Sequence, residues 1–384
     1  MAPPSASSAG PARFMCGRPN GGDMTLEQAG GRPTLWLLTS PQVYRRESVA
    51  RAAALLRAGG LVAFPTETVY GLGAVATNAD AVEGIFAAKE RPHSDPLIVH
   101  IADSSWLSMV TNRVDPLVRR LGESFWPGPL TLIVPRSPAI PSVVAAGGDT
   151  IGVRVPAHEV AIELIRAVGS PLAAPSANRF MHTSPTTAEH VLADLDGRID
   201  AVLDGGPCAV GVESTVLDVM SDPPRILRPG GVTLEALRAV APHVEGPAES
   251  SAIRAGGVLA SPGQMERHYA PRTPLLVFDA NGDEGSEVIA RVANEQRAQG
   301  QRVGAIVPDE EADQLSRSGV MVERLGPSAD IQAIARNLYG ALRRMDGNDV
   351  DVMLAHTFGE SGLAVALRDR LRRAAGGAFQ TPDP

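Results

Sequence analysis

Residues 61–73 read Leu61-Val62-Ala63-Phe64-Pro65-Thr66-Glu67-Thr68-Val69-Tyr70-Gly71-Leu72-Gly73. The short apolar run closed by proline predicts a strand over Leu61–Pro65. The hydroxyls and the two glycines that follow predict a binding loop at that strand's end, because glycine lets backbone approach a ligand closely. On these residues alone a plain turn is the competing reading. Upstream, Ser48–Arg57 predicts a short helix stopped by Gly59-Gly60. Downstream, Asn78–Glu90 predicts a helix with Val82, Ile85, Phe86 and Lys89 on one stripe, closed by Pro92.

Strand patterns recur at Pro96–Ile101, Thr131–Val134, Ile151–Val155, Ala201–Leu203 and Ser214–Val219, with helical patterns between several of them. Together they predict an α/β domain over residues 41–240, ending with a helix at Thr233–Val240. Residues 241–273 carry Pro242, Gly246, Pro247, Gly256, Gly257, Pro262, Gly263 and Pro271, which reads as a linker. A second unit over residues 274–376 then alternates strands (Leu275–Phe278, Arg302–Val307, Val320–Arg324, Val350–His356) with helices (Ser286–Gln299, Ala312–Arg317, Ile331–Arg344, Leu363–Ala374). That alternation predicts a smaller Rossmann-like parallel α/β domain. Residues 1–40, rich in Pro, Gly, Ala and Ser, read as a tail or as sequence upstream of a start at Met15 or Met24, and residues 377–384 read as a second tail.

The 384 residues leave room for two domains, and 44% apolar with 20% charged residues is ordinary for a globular chain. No apolar run approaches the roughly 20 residues of a membrane span. Two cysteines, Cys16 and Cys208, exclude a disulfide framework or a zinc cluster and suit a reducing cytoplasm. A net charge of −8 lacks the basic field of a protein that grips a nucleic-acid backbone, so no direct hold on tRNA is expected. Of 35 basic residues a single one is lysine, Lys89. Lysine is a compact point charge and arginine a planar fork, so a lone lysine marks a place where the fork does not fit.

Lys89 lies on the apolar stripe of its helix, where a charge is costly without an anionic partner; snorkelling at a helix end is the bland alternative. Arg154, opposite Ile151, Val153 and Val155 on its strand, can fork onto a carboxylate or phosphate, or simply face solvent. Ala173-Ala174-Pro175-Ser176-Ala177-Asn178, with Ser184 beyond, again places small and polar groups at a strand end. A P-loop is excluded, since Lys89 is followed by Glu90. Gly71-Leu72-Gly73-Ala74-Val75-Ala76 matches a dinucleotide fingerprint only weakly, because six residues separate the first glycine from the strand.

The blocks FPTETVYGLG, KERP, PLIVHI, WPGPLT, VRVPAH, APSAN, GVEST, LRPG and SPG…RHYAP occur in order, and the chain closely resembles the threonylcarbamoyl-AMP synthases in their two-domain form. The resemblance implies an N-terminal YrdC-like domain with a twisted mixed sheet and flanking helices, followed by the Rossmann-like domain. It implies a reaction of L-threonine, bicarbonate and ATP that gives threonylcarbamoyl-AMP and pyrophosphate, with Mg2+ on the nucleotide. The product passes to a separate tRNA threonylcarbamoyltransferase. It implies Lys89, Arg91, Ser176 and Asn178 at the reaction centre. Threonine contacts fall at Thr68, His100, Arg154, Ala174 (through its backbone) and Ser214. ATP contacts fall at Arg91, Asp95, Thr150, Ser176, Ser184, Arg228 and Tyr269. Relatives often carry asparagine at the position of Asp95, where an acid near phosphates needs an intervening cation. A pocket that hydrogen-bonds the threonine hydroxyl is expected to reject valine by about 10⁴ and serine less well. The linker around His268 and Tyr269 is expected to fold over the nucleotide as a lid. The larger carbamoyltransferase of hydrogenase maturation contains a similar module but carries cysteine-rich zinc sites, which two cysteines cannot build. A non-enzymatic RNA-binding or translation-associated module is the alternative from another class, and the acidic balance opposes it.

Overall fold

The computed structural model describes residues 15–17, 23–26, 33–247, 262, 263, 265 and 267–380. In chain order the first domain contains β1 (Met15–Gly17), β2 (Asp23–Leu26), β3 (Leu35–Leu38), α1 (Gln42–Arg57), β4 (Val62–Phe64), β5 (Gly71–Val75), α2 (Ala79–Lys89), β6 (Ile98–His100), α3 (Leu107–Val110), α4 (Pro116–Phe125), β7 (Leu130–Pro135), β8 (Thr150–Arg154), α5 (Glu159–Val168), β9 (Leu172–Ala173), α6 (Ala188–Leu195), β10 (Ala201–Asp204), β11 (Thr215–Asp218), β12 (Arg225–Arg228) and α7 (Leu234–Val240). The second contains β13 (Leu275–Phe278), α8 (Gly282–Ala298), β14 (Val303–Val307), α9 (Asp309–Arg317), β15 (Met321–Arg324), α10 (Ile331–Asp346), β16 (Val352–His356) and α11 (Ala364–Ala374).

The first domain is an α/β unit on a mixed sheet ordered β1-β2-β3-β10-β4-β5-β9-β6-β8-β7-β11-β12. Both faces are covered, so β4, β6 and most of β7 and β8 are buried throughout and read as continuous apolar runs. The second domain is a separate four-stranded sheet, β13-β16-β14-β15, parallel at every pairing.

Two differences from the sequence reading are physical. The segment expected to be a tail supplies three strands, and β3 pairs in parallel with β10 while Trp36 Nε1 donates to Asp204 at 3.0 Å. The rest of residues 1–32 lies outside the described residues, as do residues 381–384 and linker residues 248–261, 264 and 266. The second difference is the end of the glycine motif. Gly71–Val75 is a strand, antiparallel to β4 (Val62↔Gly73, Phe64↔Gly71), so only Pro65–Tyr70 is loop. Gly73 is required there because a Cβ would stand 2.8 Å from the Phe64 ring.

The seam between the domains is itself core. Val69 and Val212 of the first domain and Tyr269 of the linker pack in one cluster with Leu338, Tyr339, Leu367 and Leu371 of the second. No helix among the described residues is long and apolar enough to cross a membrane.

Candidate active site

Helix α2 opens on Asn78, whose side chain accepts from the Ala81 amide at 3.2 Å, and ends at Glu90 with φ 57, the left-handed conformation. Two residues apart, Lys89 and Arg91 share no face of a helix, and the reversal at Glu90 ends α2 between them. Lys89 finishes the buried stripe, and its ammonium donates to the backbone carbonyls of Ser176 and Asn178, the latter at 2.5 Å. Arg91 leaves the helix axis and enters a cleft at the centre of the domain. Burial, followed by the charge of Arg91, pushes the Lys89 ammonium well below its ordinary value.

The cleft is lined by Thr68, Arg91, His100, Arg154, Ala174 and Ser176 on one side and by Glu213, Ser214, Arg228, Gly263, His268 and Tyr269 on the other. These residues come from the loop before β5, the turn after α2, the ends of β6, β8 and β9, the residues before β11, the end of β12 and the linker. About 50 Å³ between them is open to the centre of a water molecule. The linker supplies part of the wall. Arg228 Nη1 donates to the Pro262 carbonyl at 3.3 Å, and the His268 amide donates to the Arg373 carbonyl at 3.1 Å. Tyr269 holds φ 61, and its buried hydroxyl has no hydrogen-bond partner among the described residues.

Each cation is organised by its neighbours. Arg91 donates through Nε and Nη2 to the carbonyls of Asp95 and Pro96 at 3.1 and 2.8 Å, and Nη2 lies 3.0 Å from the Asp95 carboxylate. Arg154 pairs with Glu67 at 2.7 Å and donates to the Gly128 carbonyl at 3.3 Å. Arg228 donates to the carbonyl and hydroxyl of Ser214 at 3.0 and 3.1 Å. His100, between these groups, is held neutral: burial and then Arg154 push it down to about 3. Thr68 Oγ1 is 2.9 Å from Thr66 Oγ1, which caps the loop by donating to the Val69 carbonyl at 2.6 Å.

Five residues read from the sequence as site residues do not line the cleft. Lys89 and Asn178 sit one layer behind it, where the Asn178 amide donates to the carbonyls of Arg179 and His182, both at 2.8 Å. Both residues shape the Ser176–Asn178 loop from within instead of facing the cavity. Asp95 is fully buried under Arg91, and burial pushes its carboxyl up against the pull of Arg91. Arg91 thus stands between this acid and the cleft. Ser184 donates to Glu213 at 2.6 Å, and Thr150 begins β8 half-buried.

Glu67, Glu213 and Gly263 belong to the site without having been assigned a part in it from the sequence. The spacing of PTET and GVEST put Glu67 and Glu213 next to named residues, but their arginine partners, Arg154 and Arg370, are 87 and 157 positions away (154 − 67; 370 − 213).

Residues 54–230 match a family model described as "Telomere recombination" (Sua5/YciO/YrdC), and residues 232–376 match one described as "Threonylcarbamoyl-AMP synthase, C-terminal domain". The chain is 46% identical to a Bacillus subtilis protein named threonylcarbamoyl-AMP synthase, over 86% of this chain and 93% of that one. It is 43% identical to a protein of that name from Pyrococcus abyssi, over 85% and 93%. Its fold is similar to the crystal structure of P. abyssi Sua5 complexed with L-threonine, with a TM-score of 0.82 and 39% identity over 90% of this chain and 98% of that one.

Proposed function

The chain belongs to the threonylcarbamoyl-AMP synthase family, and on that premise we propose that its cleft joins L-threonine, bicarbonate and ATP into threonylcarbamoyl-AMP and pyrophosphate for tRNA modification. The observation that carries the reading is the convergence of Arg91, Arg154 and Arg228 on one cavity beside a neutral His100 and the hydroxyls of Thr68, Ser176 and Ser214.

Arg154 takes the threonine carboxylate. A guanidinium offers five N–H donors, so a second carboxylate can join Glu67 on the same fork. His100 adds a hydrogen-bonding group without adding charge. The threonine amine attacks bicarbonate, water departs, and the carbamate oxygen attacks the α-phosphorus of ATP while the bond to pyrophosphate breaks. Such chemistry needs position and positive charge more than a covalent protein group. Arg91 and Arg228 supply that charge, and Ser176 faces the same space. Lys89 acts at one remove, by fixing the Ser176–Asn178 loop. Pro262, Gly263, His268 and Tyr269 line the cleft, which supports a reading of the linker as a lid that withdraws to admit ATP and returns to exclude water.

Among the described residues no group of three or more His, Cys, Asp or Glu could hold a metal, and Glu213 and Asp95 are already paired with arginines. The described side chains therefore do not fit a protein-held ion, and in this reading magnesium enters with the nucleotide substrate.

The test is pyrophosphate release from MgATP with threonine and bicarbonate supplied separately and together. Release that requires both supports the reading. Release indifferent to threonine refutes it, and a steeply salt-dependent hold on tRNA without turnover would favour an RNA-binding module instead.

A further inference from the structure

Glu213 is buried, and its carboxylate receives three donors. Ser184 Oγ reaches Oε1 at 2.6 Å, while the Tyr339 hydroxyl and Arg370 Nε reach Oε2 at 2.9 and 2.6 Å. Two of the three donors belong to the second domain, one on α10 and one on α11. Arg370 is the largest fully buried side chain among the described residues. Burial disfavours charge on Glu213, yet Arg370, Arg228 and the Ser184 and Arg370 hydrogen bonds outweigh it and hold the carboxyl down at about 2.

The same two side chains reach the other parts of the nucleotide wall. Arg370 Nη2 donates to the Pro229 carbonyl at 3.0 Å, one residue from Arg228, and its guanidinium lies 5.0 Å from the centre of the Tyr269 ring. The Tyr339 ring stacks on Tyr269 with centroids 5.8 Å apart. Glu213 precedes Ser214, on which Arg228 is seated. An apolar seam would hold two domains together without desolvating an ion pair, since buried pairs rarely gain stability over packed hydrocarbon. What the ions add is direction: fixed hydrogen bonds from Ser184, Tyr339 and Arg370 to Glu213 and from Arg370 to the Pro229 carbonyl, with the Arg370 guanidinium set against the Tyr269 ring.

We infer that Arg370 and Tyr339 are positioning residues for the nucleotide side of the cleft, acting through Glu213 and Tyr269 across the domain seam. The inference rests on the reading of this cleft as the ATP site. It gives the second domain a part in substrate binding, with the reacting atoms left to the first.

The experiment uses the full chain and three variants: Arg370→Lys, Tyr339→Phe, and Arg370→Met combined with Glu213→Gln so that neither charge is left buried alone. Affinity for a non-hydrolysable ATP analogue is measured by calorimetry, alongside melting temperature and saturated turnover. The loss of one or two directed hydrogen bonds predicts a Kd for the analogue raised about tenfold in the double variant and about threefold in Tyr339→Phe, with saturated kcat within about twofold of wild type in Tyr339→Phe and Arg370→Lys, which leave the cleft lining intact. Arg370→Lys is expected to recover part of the affinity, because it restores a charge and one donor. Wild-type affinity in a double variant or in Tyr339→Phe would overturn the inference, as would an affinity loss matched by an equal fall in kcat in Tyr339→Phe or Arg370→Lys. A wild-type protein that binds the analogue but releases no pyrophosphate would refute the proposed reaction, and the affinity comparison would still decide the role of Arg370.

Discussion

Lys89 is the residue at which sequence and structure argue most closely. As the single lysine on a buried stripe it was legible as special, because an arginine fork needs more room than a compact ammonium. Its partners were not legible. Two backbone carbonyls, 87 and 89 positions along the chain, leave no local pattern. Those two bonds tie the helix end to the Ser176–Asn178 loop, and the proposed part of Lys89 is to hold that loop in place. Lys89→Arg overfills that fully buried site, at a cost of about 1–3 kcal/mol. It is expected to displace the loop and lower adenylate formation by about 100-fold, with the circular dichroism spectrum unchanged. Turnover near wild type would remove the argument from the lone lysine. Arg154 makes the opposite case, a fork that lysine cannot replace. Arg154→Lys keeps a partner for Glu67 but loses the bidentate geometry, so KM for threonine is expected to rise about tenfold while KM for ATP stays within about twofold. Initial rates across both substrate series read the difference.

At the scale of elements, apolar patterning exposed most strands of both domains, and the ends of α2 were set by Asn78 and Pro92 as the sequence suggests. Patterning failed where a strand is built of small residues. Gly71–Val75 carries no alternation because both its faces are covered and Gly73 must clear Phe64. Strand β3 was missed for a different reason: its apolar run follows a long Pro/Gly-rich stretch and gains meaning only once β10 offers an edge. The α2 terminus carries a prediction of its own. Glu90 holds φ 57, which ends the helix before Arg91 turns into the cleft, and its carboxylate reaches Arg179 and Arg198. A β-branched residue resists that backbone and glycine accepts it. Glu90→Val is therefore expected to lose at least tenfold more kcat than Glu90→Gly, a comparison that separates backbone shape from the exposed ion pairs. Equal losses would assign the effect to the carboxylate.

Across the whole molecule, the two domains share a core and an ion pair, the latter ending on Glu213 in the wall of the cleft. Two separate sheets were legible in the sequence; the seam that joins them was not, because Glu213 and Arg370 lie in motifs that look independent. The seam also has a pH signature. Glu213 is held at about 2 against an ordinary 4.5, so the folded chain binds fewer protons than the unfolded one between those values. Its contribution to stability is complete above about 4.5 and is lost as pH falls toward about 2. Melting temperature is therefore expected to fall more steeply over that interval in the wild type than in Glu213→Gln, and parallel curves would contradict the assignment. The central claim concerns where two substrates meet, and a crystal structure grown with L-threonine and a non-hydrolysable ATP analogue tests it most directly. The account predicts the threonine carboxylate on Arg154 and the phosphates between Arg91 and Arg228 beneath Tyr269. A nucleotide bound anywhere else, on the second domain or outside the loop at 176–178, would contradict it.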